Sequence, residues 1–169
     1  MDAYRATLDA DDGERDPIAV LRATPLQVEG LLADPRFDPD RAVDGEERSA
    51  RAWLARLADR EIVFAHRARQ AVAATHRPER GPHRAAATDA PGWGRAYPRM
   101  DPALAVAAFT GLRAWNLAWL ARLDLADWWA PSLDEDGRDE ASVDELVRDL
   151  ARHDVVVLTR LATLVTGRR

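Results

Sequence analysis

The apolar residues of this chain recur at spacings of three and four, the pattern of amphipathic helices. This pattern predicts four helices, near residues 17–34, 49–74, 102–124 and 142–166. Asp16-Pro17 and Asp101-Pro102 are typical of helix starts, since aspartate caps the first turn and proline fits its first position. Ser142 and Glu145 have the spacing of a capping box ahead of the last helix. Strand patterns are nearly missing, so we expect no hairpin and an all-α protein.

The same spacing predicts which side chains face the core. In the second helix they are Trp53, Leu57, Phe64, Ala68 and Val72. In the third helix they are Leu104, Leu112, Trp115, Trp119 and Leu123. In the last helix they are Leu146, Leu150, His153, Val157, Leu161 and Leu164. The histidine interrupts an otherwise apolar stripe.

Proline and glycine mark the connections between these helices. Pro25 predicts that the first helix is either kinked or restarted at that point. Residues 34–47 have the composition of a polar loop, and residues 75–99 that of a crossover too long for a tight turn. Four helices with one long crossover, between the second and the third, predict a four-helix bundle. We expect a single domain over residues 1–169, in which residues 1–15 are a flexible N-terminal segment.

Composition narrows the possible chemistry and location. The 169 residues include no cysteine and no lysine, which excludes disulfides, thiolate ligands and lysine Schiff bases. The first residues are acidic and polar, unlike a targeting segment, so we expect a cytoplasmic protein. No apolar run approaches the roughly 20 residues of a membrane span, so we expect no membrane association.

Charge is distributed unevenly along the chain. Residues 51–100 carry 10 arginines and 4 acidic residues, a net charge of +6, whereas the segments before and after them are net −7 and −4. A basic stretch can bind nucleic acid. These arginines are divided between a helix and a loop, however, and the acidic flanks would neutralise them in a compact fold. Nucleic acid is therefore not an expected partner.

The four histidines are the clearest candidates for chemistry. His76 and His83 fall in the predicted crossover and are expected to be solvated, while His66 either flanks the core or lies on the surface. A buried imidazole at His153 requires hydrogen-bond partners or a metal ion. One turn away on either side are a carboxylate and Val157, which cannot bind a metal. The residues alone therefore favour a hydrogen-bonded core histidine over a metal ligand.

Familiar catalytic motifs are missing from the sequence. It contains no Gly-rich phosphate loop, no GxSxG elbow and no HExxH pair. An aromatic group could line a ligand pocket, although packing in the bundle core is the favoured interpretation. Its members are Trp115, Trp119, Trp128 and Trp129.

In order and spacing, the segments resemble the DinB-like (YfiT-like) superfamily of metal-dependent helical bundles. The resemblance extends from Asp16 to about Val165 and includes SARAWLARLADREIVFAHRAR in the second helix and RHDVVVL in the last. The third segment, DPALAVAAFTGLRAWNLAWLARL, is similar to the third helix of the family and contains Arg113. Positions that match the family pattern in the second helix are Leu57, Ala58, Asp59, Glu61 and Arg67.

The resemblance implies a divalent metal site made of three histidines, one on the second helix and two on the last. The corresponding positions here are Arg56, His153 and Val157, so two of the three ligands are replaced. An arginine cannot bind the metal and repels a cation. We therefore expect no cofactor, with zinc or nickel only if this interpretation of the site is wrong. In place of the metal we expect a polar cluster of Arg56, Asp149 and His153, because a buried arginine requires a carboxylate.

The resemblance implies three possible functions. The first is a homodimeric module without a metal that binds a small molecule or a protein, or serves a structural role. The second is a thiol-dependent transferase or isomerase that uses a low-molecular-weight thiol such as mycothiol. The third is an accessory protein of the DNA-damage response. Loss of the ligands removes the group that would activate a thiol, which favours the first.

Overall fold

The computed structural model describes residues 16–42, 48–76, 97, 99–133 and 139–166. The chain forms a bundle of four long helices, as the sequence predicts. Its elements in chain order are α1 (Pro17–Leu32), α2 (Ala50–His76), α3 (Pro102–Leu120), α4 (Leu125–Trp128), β1 (Pro131–Leu133), β2 (Asp139–Ser142) and α5 (Val143–Thr166).

The predicted caps are confirmed. Asp16 and Asp101 accept hydrogen bonds from the backbone two residues ahead, each with an N···O distance of 2.9 Å. Pro17 and Pro102 occupy the first helical positions. At the start of α5, the Glu145 amide donates to Ser142 Oγ at 3.2 Å, and the Ser142 amide donates to Glu145 Oε2 at 2.7 Å.

Helix α1 continues through Pro25 as one helix. Of the two alternatives for this position, a kink or a restart, the restart is therefore excluded. Proline has no amide hydrogen, so the carbonyl of Leu21, four residues earlier, lacks its usual helical donor. The residue before the proline, Thr24, donates a hydrogen bond from its hydroxyl to the Val20 carbonyl at 2.9 Å. The helix therefore presents an available carbonyl at Leu21 to the bundle interior, where that residue is fully buried.

The connection between α3 and α5 differs from the prediction. The third helix ends at Leu120, and Asp124 caps the separate short helix α4. Strands β1 and β2 then pair antiparallel, with Pro131 opposite Ser142, so the expectation of no hairpin was wrong. The sequence between them contains Asp136-Gly137, a common hairpin signal. Residues 134–138 lie outside the described part of the chain.

Each long helix packs against two neighbours: α1 and α2 both contact α3 and α5. The buried apolar side chains form two clusters. The first includes Leu54, Leu57, Phe109, Val157 and Leu161. The second includes Leu21, Phe64, Leu120, Trp128, Val147 and Leu150. Between the two clusters, α2, α3 and α5 each contribute a buried charged residue.

The predicted core faces are only partly correct. In α3, Leu104 and Trp115 point outward at 63% and 68% exposure, while Arg113 and Asn116 are buried. In α5, the polar member of the inner stripe is Asp154, fully buried, rather than the half-buried His153. Of the aromatic group, Trp128 is buried but Trp129 is 56% exposed, so these tryptophans do not form one core cluster.

One helix is apolar enough to raise the question of a membrane. By length and composition alone α3 could cross one, with a mean hydropathy of 1.2 over its most apolar window. This is weak evidence, because core helices of bundles meet the same criterion. Here α3 also carries Arg113 and Asn116 on its inner side, where both contact α2.

Candidate functional site

The most distinctive site is a group of charged and polar side chains at the centre of the bundle. Arg113 Nε and Nη2 donate to Glu61 Oε1 at 2.8 and 2.6 Å. Arg113 Nη1 donates to Asp154 Oδ2 and to the Leu21 carbonyl, both at 2.7 Å. We call Glu61, Arg113, Asn116 and Asp154, with the Leu21 carbonyl, the central polar cluster. Through it one guanidinium of α3 is joined to α1, α2 and α5.

Pro25 explains why a carbonyl of α1 can take part. In an uninterrupted helix the Leu21 oxygen would accept the amide of residue 25. Since residue 25 is proline, that acceptor is available and Arg113 Nη1 donates to it. A proline that costs the helix one hydrogen bond therefore provides a docking point for the buried arginine.

Asn116 extends the central polar cluster towards the edge of the bundle. Its Nδ2 donates to Glu61 Oε2 at 2.8 Å and to the Glu61 carbonyl at 3.2 Å. Its Oδ1 accepts from Arg69 Nη1 at 3.0 Å, and the Arg69 guanidinium lies 4.6 Å from the centre of the Trp119 ring. Burial lowers the pKa of Arg69. Asn116 thus connects the buried carboxylate to a partly buried arginine.

The charges within the central polar cluster do not balance. Two carboxyl groups share one guanidinium, and the side chains of all three residues are at most 2% exposed. Burial raises the pKa of Glu61 and of Asp154, and the charge of Arg113 opposes this only in part. Four hydrogen bonds occupy the Arg113 guanidinium. These hydrogen bonds of Arg113 all go to other groups of the protein, and they fix the relative positions of the helices.

The predicted site residues lie in different environments. Val157 is fully buried in the first apolar cluster, and Arg56 and His153 are half-buried. Both ring nitrogens of His153 are shielded from solvent. Asp149, in contrast, has a side chain that is 54% exposed and pairs with Arg152 at 3.0 Å. It does not provide the buried carboxylate that the predicted cluster with Arg56 requires.

Of the other histidines, the structure describes His66 and His76. His66 is exposed, which is the surface alternative of the sequence analysis. His76 is the last residue of α2 rather than a loop residue, and its Nε2 lies 2.7 Å from Asp127 Oδ1. His83 lies outside the described residues.

Sequence reasoning missed Asp154 as a site residue, although a signal was present. Glu61 and Arg113 were both noted as parts of the family resemblance, and Asp154 directly follows His153 in the quoted RHDVVVL segment. A buried arginine requires a carboxylate. The fully buried carboxylates that meet this need are Glu61 and Asp154.

At the three positions implied by the resemblance, the described residues offer one metal-binding side chain, His153. Within the described ranges, no group of three or more His, Asp or Glu residues is placed to hold a metal ion. One oxygen of Glu61 and one of Asp154 accept from Arg113, a permanent cation. At the positions implied by the resemblance, Val157 has no donor atom and Arg56 is itself cationic.

A separate groove lies between α1 and α5. Its volume is about 550 Å³, and it is open to solvent. The lining is mostly apolar and consists of Asp16, Ala19, Val20, Ala23, Gln27, Val155, Leu158 and Thr159. With its few polar groups, the groove suits an apolar ligand better than a charged one.

Comparisons with known proteins agree with this architecture. No protein-family model matches the sequence, and no curated protein matches it significantly. Among solved structures, the chain is similar to YfiT from Bacillus subtilis, described as a probable metal-dependent hydrolase with an unusual four-helix bundle topology. The TM-score is 0.71 at 17% identity, over 91% of this chain and 89% of that one. The chain therefore has the YfiT-like, or DinB-like, four-helix bundle fold that the sequence resemblance implied.

Proposed function

We propose that this protein is a YfiT-like bundle that no longer holds the metal and functions as a homodimeric binding module. The single observation that carries the proposal is the donor set. Of the three positions implied by the resemblance, only His153 can ligate, and Val157 is buried among apolar side chains. One imidazole falls short of the three or four ligands that zinc sites use.

Electrostatics supports the same conclusion. Arg56 is half-buried, and a permanent cation on the second helix would repel a divalent ion from His153. The nearby buried carboxylates cannot compensate, because Arg113 already engages both. The groove between α1 and α5 offers an apolar surface that could accept a small molecule without any metal.

The metal content of the purified protein tests this proposal. We expect fewer than about 0.1 zinc or nickel ions per chain, because the donor set is too small for a zinc site. The variant Arg56→His with Val157→His restores three imidazoles, and we expect it to bind zinc or nickel. A matched control, Arg56→Gln with Val157→Thr, removes the same charge and apolar group without adding ligands, and it should not bind.

Two results would contradict the proposal. One metal ion per chain in the native protein would show that a site exists despite the donor set. Stabilisation of that metal-loaded protein by a low-molecular-weight thiol in a thermal-shift assay would favour the thiol-dependent enzyme instead. If the double-histidine variant is folded but binds no metal, the groups that orient the ligands have also changed.

A further inference from the structure

The outward side of α3 is apolar along nearly its whole length. Seven exposed residues at helical spacings form this surface, the α3 face: Leu104, Ala107, Ala108, Gly111, Ala114, Trp115 and Ala118. Leu104 and Trp115 are among the most exposed large apolar side chains described. In a chain with 31% charged residues, a helix face of this length without a charge indicates contact with another surface.

Bulky and small residues on the α3 face are arranged around Gly111. Leu104 lies seven residues before Gly111, and Ala118 lies seven residues after it. Ala107 lies four residues before it, and Trp115 four residues after it. If two copies cross antiparallel at Gly111, each large side chain meets a small one. In a parallel pair, Trp115 would instead collide with Trp115 of the second copy.

The charges at the two ends of the α3 face follow the same symmetry. Asp101 precedes the face and Arg122 follows it, and both are exposed. An antiparallel crossing at Gly111 brings Asp101 of one copy close to Arg122 of the other, whereas a parallel one brings like charges together. The α3 face of one copy is therefore complementary in charge to the α3 face of another copy. This favours a second copy of the chain over an unrelated partner.

Gly111 is not needed by the isolated chain. A Cβ atom added there would meet nothing within 4 Å beyond its chain neighbours and the local helix backbone. Glycine is among the poorest helix formers, yet it lies in the middle of α3. Its advantage is that two helix backbones can approach closely where neither has a side chain.

We propose that two copies of this chain associate through the α3 face, antiparallel, with the two-fold axis at Gly111. The inference rests on the proposed homodimeric module and names its contact surface. A helix of 19 residues is about 28 Å long. A contact made by one such helix from each copy buries less surface area than the roughly 1,600 Å² of a typical stable interface. The association is therefore reversible and depends on concentration.

Cysteine cross-linking tests the geometry directly, because the native chain has no cysteine. Gly111→Cys should form a disulfide-linked dimer on mild oxidation, since the two sulfurs lie at the axis. Gly30→Cys is the matched control: this glycine also lies in a helix with open space around it, on α1, and the variant should form no disulfide-linked dimer. Leu104→Cys and Ala118→Cys should each fail to cross-link alone and should cross-link with each other when mixed.

Sedimentation equilibrium tests the affinity. Gly111→Leu should weaken the dimer at least about tenfold, because a side chain at the axis separates the helices. Gly30→Leu should leave the association constant unchanged. Arg122→Glu should also weaken dimerisation, because it places two acidic groups together, and low salt should enlarge the effect.

Three results would overturn this inference. A wild-type chain that stays monomeric at high concentration excludes the dimer, and self-cross-linking of Leu104→Cys shows a parallel pair. Co-sedimentation of the wild-type monomer with phosphatidylglycerol vesicles, lost in a Trp115→Glu variant, would assign the α3 face to a membrane. None of these changes the metal content, so failure here is distinguishable from failure of the metal-free proposal.

Discussion

At the scale of single residues, Arg113 connects the bundle more than any other side chain described. Its guanidinium reaches two carboxylates and a backbone carbonyl on three different helices. Burying such a group costs desolvation, so an ion pair of this kind adds little net stability over a well-packed apolar core. Removing one partner is different, because the remaining charges stay buried without compensation. Arg113 therefore fixes the relative positions of the helices.

Replacing Arg113 should consequently be severe. We expect Arg113→Met to lower the free energy of unfolding by about 3–5 kcal/mol, since Glu61 and Asp154 would remain buried. Urea unfolding followed by circular dichroism measures this change. Arg36→Met is a suitable control, because Arg36 pairs with Asp34 in an exposed position and should have no measurable effect.

A rescue experiment separates charge from packing. Adding Glu61→Gln and Asp154→Asn to Arg113→Met removes the uncompensated charges, and it should recover part of the lost stability. If the triple variant is no more stable than Arg113→Met, the loss arises from the volume and shape of the arginine rather than from its charge.

At the scale of helices, the sequence predicts the elements better than their orientation. The caps of α1, α3 and α5 depend on neighbouring residues, so local patterns locate them within a few positions. The side of α3 that faces the core could not be found in this way, because α3 has apolar residues on all its sides. Its orientation is set by Arg113 and Asn116, whose partners are distant in sequence.

Because local patterns do not show which distant residues pair, the sequence also predicted the central polar cluster only in part. The resemblance marked Glu61 and Arg113 by position but could not show that they contact each other. Periodicity assigned the inner stripe of α5 to His153, while the neighbouring Asp154 is the buried residue. One residue is a 100° rotation on a helix. A pairing with a residue on another helix is needed to choose between the two.

Pro25 provides a test of coupling between helices. In an ordinary helix interior, replacing proline by alanine is expected to stabilise by up to about 3 kcal/mol. Here the gain should be smaller, because the Leu21 carbonyl already accepts from Arg113. In an Arg113→Met background that acceptor loses its donor, so Pro25→Ala should gain more there.

A double-mutant cycle measures this difference. We expect a coupling of about 0.5–3 kcal/mol between Pro25→Ala and Arg113→Met, as for residues that share a hydrogen-bond network. Additive effects, within about 0.5 kcal/mol, would mean that Pro25 and Arg113 are independent. Gly30→Ala lies in the same helix and should combine additively with Arg113→Met.

At the scale of the whole molecule, the bundle has a charged centre between two apolar clusters. The surface ion pairs of the described residues, such as Arg152 with Asp149, are exposed and contribute little to stability. The central polar cluster is sheltered from salt and solvent, and its two carboxyl groups share one cation. The pH dependence of the free energy of unfolding should therefore include a contribution from the central polar cluster that is opposite in sign to that of ordinary carboxylates.

Burial raises the pKa of Asp154 above its ordinary value of 3.8. In the pH range between the unfolded and the folded pKa, the native state thus binds a proton that the unfolded state has lost, and stability falls as the pH rises. Ordinary carboxylates, whose pKa is lowered on folding, behave in the opposite way. We expect the free energy of unfolding of the native protein, relative to Asp154→Asn, to decrease as the pH rises above about 4, with a slope of at most about 1.4 kcal/mol per pH unit. Urea unfolding at a series of pH values measures it, and Asp149→Asn, at an exposed position, should leave the slope unchanged. A difference that instead grows with pH would mean that Arg113 stabilises the charged form of Asp154 more than burial opposes it.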